Sequence, residues 1–550
     1  MRASSLLPRP VFLALSLAAG CDFARTDDVV LTPPVLRAPA RNAYLGSHRV
    51  PASLRPSFSW EAATLMTERA LALRYRIELS TDPAFPVGGV VEDVDATTFM
   101  PAELAVSLQP PVGTRYYWRV RTCVGEACGE PSATWWINLA RQPRDYNGDG
   151  FSDVVIGAPA ATPAARTAAG RALLYSGGAA EVIAPARTFN GALTADALGT
   201  SVALLGDVNG DGFSDLALGA PGSSHVEVYL GAAGPPYLLS PSGIGAGSSV
   251  ASAGDVNGDG FDDVIVGEPG GGGKAGHAYL YLGGAAFDTK VDATFTDDLP
   301  IGRFGSSVAS AGDVNGDGYG DVIIGAPAEA VSGEPGTARV YFGGPEPLDV
   351  NADGVLVGQA ANERCGTSVA SAGDLNRDGF ADVLVGCPAA GAGLRGRVDI
   401  YLGGPGAALD ATADVRLDGQ DSSSGFGAAL DGAGDLNRDG FADFVVGAPS
   451  TSLATFPSIG QAFVFLGQVD GFSIQPLAGA APMDTFGASV SAAGDVNGDG
   501  FKDLLVGAPG HDAGGAEAGR AYLMLGGPSV KPSTPHTIDG VTNELLGTVR

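Results

Sequence analysis

Side chains that carry positive charge, imidazole or indole are scarce in this chain. Its 550 residues hold 32 Lys and Arg against 61 Asp and Glu, a formal net charge of −29. A surface of that sign repels nucleic acid and other polyanions, so no nucleic-acid partner is expected. Histidine is limited to His48, His225, His277, His511 and His536. No G-x-S-x-G elbow and no H-E-x-x-H helix accompanies them, and no separate catalytic domain has room to exist. His225 and His277 precede expected strands and read as satisfied edge residues. The expectation is therefore a protein that is not an enzyme. Beyond the N-terminus no apolar run is long enough to cross a bilayer. Charged residues make up only 17% of the chain while hydrophobic residues reach 45%, so a substantial core can form.

What is abundant is glycine, 83 residues, with 37 prolines. Turn signals that frequent favour many short strands over helices. The first residues, MRASSLLPRPVFLALSLAAGCDF, pair a basic start with a short apolar stretch and small residues before Cys21. Residues 1–20 read as an export signal. LAAGC resembles a bacterial lipobox, which makes Cys21 a candidate for lipidation and implies a membrane anchor, although Ala18 stands where Leu is commonest. Residues 21–43 are Pro-rich and expected as a tether. From 44 to 140 apolar residues alternate, as in Tyr75, Ile77 and Leu79 and again in Tyr116, Trp118 and Val120. Period 2 with aromatics marks half-buried strands. This stretch resembles a fibronectin type III or related β-sandwich, a spacer whose aromatics are expected in its core. Cys123 and Cys128 are close enough to close a small hairpin.

After Arg144 an acidic motif recurs seven times, at Asp145, Asp207, Asp255, Asp313, Asp374, Asp435 and Asp495. The units share one grammar: a small-residue strand, the acidic loop, an apolar run such as DVIIGAP, then a third strand, ending in Gly-Gly in HAYLYLGG, TARVYFGG and GRVDIYLGG, and a weaker fourth. Four strands in a unit of this length suit a blade, and seven blades arranged radially bury each other's faces. An open solenoid is the competitor. The first loop lacks its leading strand, whereas the chain ends TNELLGTVR, the start of one. A C-terminal strand completing the first blade is expected. The fold class is all-β, with a propeller over 144–550.

The loop itself is a ligand set. In the third copy Asp255, Asn257, Asp259 and Asp263 fill positions 1, 3, 5 and 9, and Phe261 at position 7 offers its carbonyl. Gly260 permits the sharp turn. The pattern repeats as Asp145, Asn147, Asp149, Phe151 and Asp153, then as Asp207, Asn209, Asp211, Phe213 and Asp215. The fourth copy has Asp313, Asn315, Asp317, Tyr319 and Asp321, and the fifth Asp374, Asn376, Asp378, Phe380 and Asp382. Asp435, Asn437, Asp439, Phe441 and Asp443 form the sixth, and Asp495, Asn497, Asp499, Phe501 and Asp503 the seventh. Oxygen donors without nitrogen or sulfur suit Ca²⁺ rather than zinc or copper. Up to seven structural calcium ions are expected, each pinning a turn between two strands. DVNADGVLV at Asp349 opens alike but has Val357 at position 9, and reads as an interstrand turn. Position 8, filled by Asp262 in the third copy, varies and is left outside the site.

FGASVSAAGDVNGDGFKDLLVGAP, residues 486–509, resembles the FG-GAP repeat family, the unit of the integrin alpha-chain propeller. The resemblance implies seven blades, calcium loops on a lower face and partner binding on an upper one. The fifth unit departs from it: Cys365 replaces the Phe of FG and Cys387 the Ala of GAP. Two family positions changed together suggest a Cys365–Cys387 disulfide, although the later cysteines also suit small buried positions. The second unit has Ala246 where Phe is expected. The functional expectation is an exported calcium-binding surface propeller that binds a protein or glycan, with a structural envelope or matrix component as the first alternative and a carbohydrate-active enzyme as the second. The variable stretches 270–278 and 328–338 are candidate contacts.

Overall fold

The computed structural model describes residues 31–38, 43–45, 55–63, 72–86, 89–102, 104–108, 112–139 and 143–549, the last without 179–184, 232–233, 242, 271–274, 298–302, 329–332, 407, 453–456, 513–514, 528–535, 541–545 and 547. The export signal, Cys21 and His48 lie outside the described residues, as do parts of both variable stretches.

The N-terminal unit is two sheets over one aromatic core. One sheet holds Leu36–Ala38, Phe58–Trp60 and Thr98–Phe99. The other runs Ala43–Leu45, Trp135–Leu139, Thr114–Val124, Arg74–Ser80 and Val90–Val94, with Ala127–Pro131 also paired to Thr114–Val124. Phe58, Trp60, Tyr75, Trp118 and Trp135 share the core, with Phe58 and Trp118 edge to face at 4.9 Å. Cys123 faces Cys128 across a hairpin and is disulfide-bonded to it. The tether expected over 21–43 is corrected in part. Leu36–Ala38 pairs antiparallel with Phe58–Trp60, Leu36 is buried, and the Thr122 hydroxyl donates to the Thr32 carbonyl at 2.8 Å. A three-residue edge strand tolerates flanking prolines, so proline content alone did not mark the boundary.

The remainder is seven four-stranded antiparallel sheets. Blade 3 is typical: Ser249–Gly254 innermost, then Asp263–Glu268, His277–Tyr281 and Ala293–Thr296. Second strands such as Asp263–Glu268 are buried at every residue, because a neighbouring blade covers each face. They read accordingly as unbroken apolar runs rather than alternations. Seven apolar cores lie between adjacent blades, and the one between blades 7 and 1 joins Leu505 and Leu523 to Val154, Ile156, Leu546 and Val549.

The ring closes through the C-terminus. Thr548–Val549 pairs antiparallel with Val154–Ala158, giving blade 1 its innermost strand. Leu546 bridges Gly519 of blade 7 as Phe486 bridges Gly460 and Phe426 bridges Gly396. At the loop level the Ser152 N–H donates to the Asp495 carbonyl at 3.0 Å, the same bond that Ser214 makes to Asp145 and Gly320 to Asp255. These contacts settle the ring against the open array and cover the inner edge of Val154–Ala158.

Two glycines explain the repeat signature. The glycine after the buried apolar residue has positive φ, +81° at Gly305 and +84° at Gly487. Its carbonyl presses on the glycine of the preceding blade's second strand: a Cβ on Gly267 would overlap the Gly305 oxygen, and one on Gly447 the Gly487 oxygen. Only glycine at both places lets neighbouring blades approach this closely. The apolar residue ahead of the first glycine fills an interblade slot. Phe304, Phe426 and Phe486 do so, and so do Leu198, Ala246, Cys365 and Leu546, all at most 1% exposed. Cys365 in that slot is disulfide-bonded to Cys387. Among the described residues no helix is long and apolar enough to cross a membrane.

Candidate metal centres

Each acidic loop leads into the second strand of its blade, and in blades 2 to 7 it connects the first strand to the second, so all seven lie on one face of the ring. In blades 2 to 7 a register shift precedes the loop, between Ser252 and Gly254 in blade 3. A bulge there bends the strand end and aims the loop.

Inside a loop the side chains fold back on their own backbone. In the first copy Asp145 accepts from the N–H groups of Gly148, Asp149 and Gly150 at 2.6, 3.1 and 2.8 Å. Asn147 Oδ1 accepts from Asp149 N–H, and Asp149 Oδ1 accepts from Phe151 N–H at 3.0 Å. The Asn147 amide donates to Asp149 Oδ2 at 2.9 Å, an arrangement repeated in all seven loops. Positions 1, 3 and 5 thus converge on one small concavity.

Position 9 has a second task that the sequence pattern did not reveal. Asp153, Asp215, Asp263, Asp321, Asp382, Asp443 and Asp503 are all fully buried. In each, Oδ2 accepts from the position 2 N–H at 2.7–2.9 Å. Oδ1 accepts from a glycine N–H at or just past the end of the third strand, again at 2.7–2.9 Å. The carboxylate staples its loop to the far side of the blade. Asp at position 9 therefore serves the backbone whether or not an ion binds, whereas position 5 is exposed in six of the seven loops and its carboxylate accepts from the position 7 N–H.

The loops fit an oxygen-seeking divalent cation. Among the described residues none of the seven buried carboxylates makes an ion pair, and Asp495 Oδ1 is buried without a hydrogen-bond partner. Burial pushes the Asp153 carboxyl up to about 7, with Asp145 and Asp149 adding to the rise. Burial likewise raises Asp321 to about 8 and Asp443 to about 7, and drives Asp263 and Asp382 well above the usual range. A carboxylate oxygen that accepts one N–H retains a lone pair for a metal. Positions 1, 3, 5 and 9 with the position 7 carbonyl would hold Ca²⁺, which offsets the clustered charge.

Arginines in two loops went unnoticed in the sequence. Arg377 and Arg438 occupy position 4, where the other loops have Gly, with φ of +62° and +58°. Arg377 donates to the Asp439 and Gly440 carbonyls at 2.6 and 2.8 Å and lies 3.3 Å from the Phe441 ring centroid. Arg438 donates to the Gly500 carbonyl at 2.6 Å and covers Phe501. Each guanidinium ties its loop to the next. The substitution of Arg for Gly at two equivalent positions was the available signal.

Position 8 points inward and meets the preceding blade: Asp262 Oδ2 accepts from Asp207 N–H at 2.9 Å. The Asp349 turn joins third and fourth strands and recurs at Asp288 and Asp410. Its fifth residue accepts an N–H from the end of the third strand: Asp353 from Phe342, Asp292 from Leu282 and Asp414 from Leu402. His225 opens the third strand of blade 2, 3.8 Å from Glu227. His511 Nδ1 lies 2.7 Å from Asp484 Oδ1, a buried pair the sequence did not disclose, and His511 Nε2 has no hydrogen-bond partner.

The FG-GAP repeat family matches seven segments: 143–175, 198–239, 246–281, 304–342, 366–407, 426–465 and 486–524. Integrin alpha-5 from Xenopus laevis is 35% identical over 164 residues, 28% of this chain and 15% of that protein. Phosphatidylinositol-glycan-specific phospholipase D from Mus musculus is 34% identical over 167 residues, 28% of this chain and 20% of its own length. The alignments thus span a fifth or less of these relatives. An exotype rhamnogalacturonan lyase structure aligns over 85% of this chain and 89% of its own at 10% identity, with a TM-score of 0.30, too low a likeness to carry an argument.

Proposed function

We propose that this closed propeller of seven FG-GAP repeats is an exported, calcium-stabilised binding protein of the cell surface, not an enzyme. The observation that carries the reading is the set of seven buried position 9 carboxylates, each within an all-oxygen loop and none in an ion pair among the described residues. Calcium at these loops would neutralise charge and couple folding to metal binding. The ions are structural in this reading, because the loops lie between strands of single blades. The partner, an extracellular protein or a glycan, docks on the opposite face. There the connections between blades expose Leu193, Ile244 and Met483, 58%, 72% and 58% accessible. The N-terminal sandwich resembles fibronectin type III modules and spaces the ring from a lipid anchor at Cys21.

The experiment is a binding screen of the exported chain against glycans and surface proteins, with and without Ca²⁺. Calcium-dependent capture of one ligand class supports the reading. Turnover of a polysaccharide or glycolipid would contradict it.

A further inference from the structure

The N-terminal sandwich reaches the loop face of the propeller at three successive loops. The Val112 N–H donates to the Gly210 carbonyl in loop 2 at 3.1 Å. Arg115 Nη1 donates to the Gly318 carbonyl in loop 4 at 3.3 Å. Arg115 Nη2 lies 3.6 Å from Oδ2 of Asp255, the first residue of loop 3. The guanidinium is aimed from behind, since Nε donates to Asn138 Oδ1 at 3.0 Å on the neighbouring strand. Arg115 and Asp255 are both largely buried, with side chains 19% and 6% exposed. A cavity of about 290 Å³ at this junction is bounded by Arg115, Trp136 and Arg144 on one side and Asp255, Asp262 and Asp313 on the other.

We propose that Arg115 is an interdomain latch that opposes metal at loop 3, so that calcium at residues 255–263 and docking of the sandwich weaken one another. The inference rests on the calcium reading of the loops. Asp255 is the shared element. Its Oδ2 accepts from the Gly260 N–H at 3.1 Å and faces the guanidinium, and its carboxylate is a position 1 ligand. A divalent ion on that carboxylate brings a second cation against the guanidinium in a partly buried site, where repulsion is weakly screened. Linkage makes the effect reciprocal: whatever factor docking removes from calcium affinity, calcium removes from docking. Among the described residues loop 3 is the one whose position 1 carboxylate faces a cation of the sandwich, so its affinity reports on docking.

The test is calcium titration of the full chain by calorimetry, with tryptophan emission as a second signal because Trp136 lines the junction. Arg115→Gln is expected to raise the affinity of one site about fivefold or more. It should also abolish the calcium-dependent change in emission, whereas Arg115→Lys, which keeps the charge, retains both wild-type responses. If the wild type binds calcium but Arg115→Gln leaves every site affinity and the emission response unchanged, the latch is overturned and the calcium reading stands. If Arg115→Gln lowers affinity, Arg115 assists the site and the proposal is wrong in sign. A wild type that binds no calcium overturns both readings.

Discussion

The sandwich and the propeller solve the same problem with different materials. The sandwich holds all four tryptophans, Trp60, Trp118, Trp135 and Trp136, and packs them in or beside one core. Large aromatic faces bury enough area for a small unit to stand alone. The propeller has no tryptophan and fills seven thin cores with Ala, Val, Leu, Ile and a few aromatics. Its blades meet through glycine–carbonyl contacts and hydroxyl bonds such as Ser201 Oγ to the Gly247 carbonyl at 2.7 Å. Close approach leaves little room for side chains, so stability shifts to closure of the ring and to the loops. One region is held by bulk, the other by connectivity.

That contrast can be broken most severely at the closure. Removing residues 546–550 deletes the buried Leu546 and Val549 and exposes the edge of Val154–Ala158. The two side chains alone account for about 1.5–3 kcal/mol each. Calorimetry should show the propeller transition collapse while the tryptophan-monitored sandwich melts as before; an unchanged propeller transition would refute closure by the C-terminus. The reverse experiment is Trp118→Ala, a fully buried ring at the centre of the sandwich. It should cost the sandwich about 3–5 kcal/mol and leave the propeller transition in place.

A finer cut separates the staple from the metal. Asp321→Ala leaves the Val314 and Gly343 N–H groups without their carboxylate and should destabilise the propeller with or without calcium, by about 1–3 kcal/mol for each buried donor. Asp317→Asn alters an exposed position 5 carboxylate, so its effect should be smaller and should vanish in chelator. Equal losses in chelator from both variants would merge the two roles that the geometry separates. Smallest of all, Arg377→Ala removes one guanidinium tie between loops 5 and 6 and should cost about 1 kcal/mol or less. Hydrogen exchange at residues 435–443 should quicken; exchange unchanged there would make the tie incidental.

The ring was legible because its grammar is local and repeated. Glycine pairs, apolar second strands and the orphaned C-terminal strand all leave marks in one dimension, and even Cys365 could be placed by the slot it occupies. The staple at Asp263 was hidden because its donor, Gly283, lies 20 residues away, just past the third strand. Arg377 was hidden because its acceptors sit 62 and 63 residues away in the next blade. The strand at Leu36–Ala38 was masked by its prolines, and docking of Arg115 on Asp255 left no periodic trace at all. Local pattern predicts what each blade does for itself; contacts between blades and between domains require the fold.

The central claim is that cations in the loops hold the ring while the sandwich holds itself. Thermal unfolding of verified metal-free protein, followed by calorimetry and tryptophan emission together, tests it most directly. The expected result is a propeller transition that falls markedly and is restored by Ca²⁺, beside a sandwich core transition that moves little. A metal-free propeller that unfolds at the same temperature as the calcium-loaded one would contradict the account.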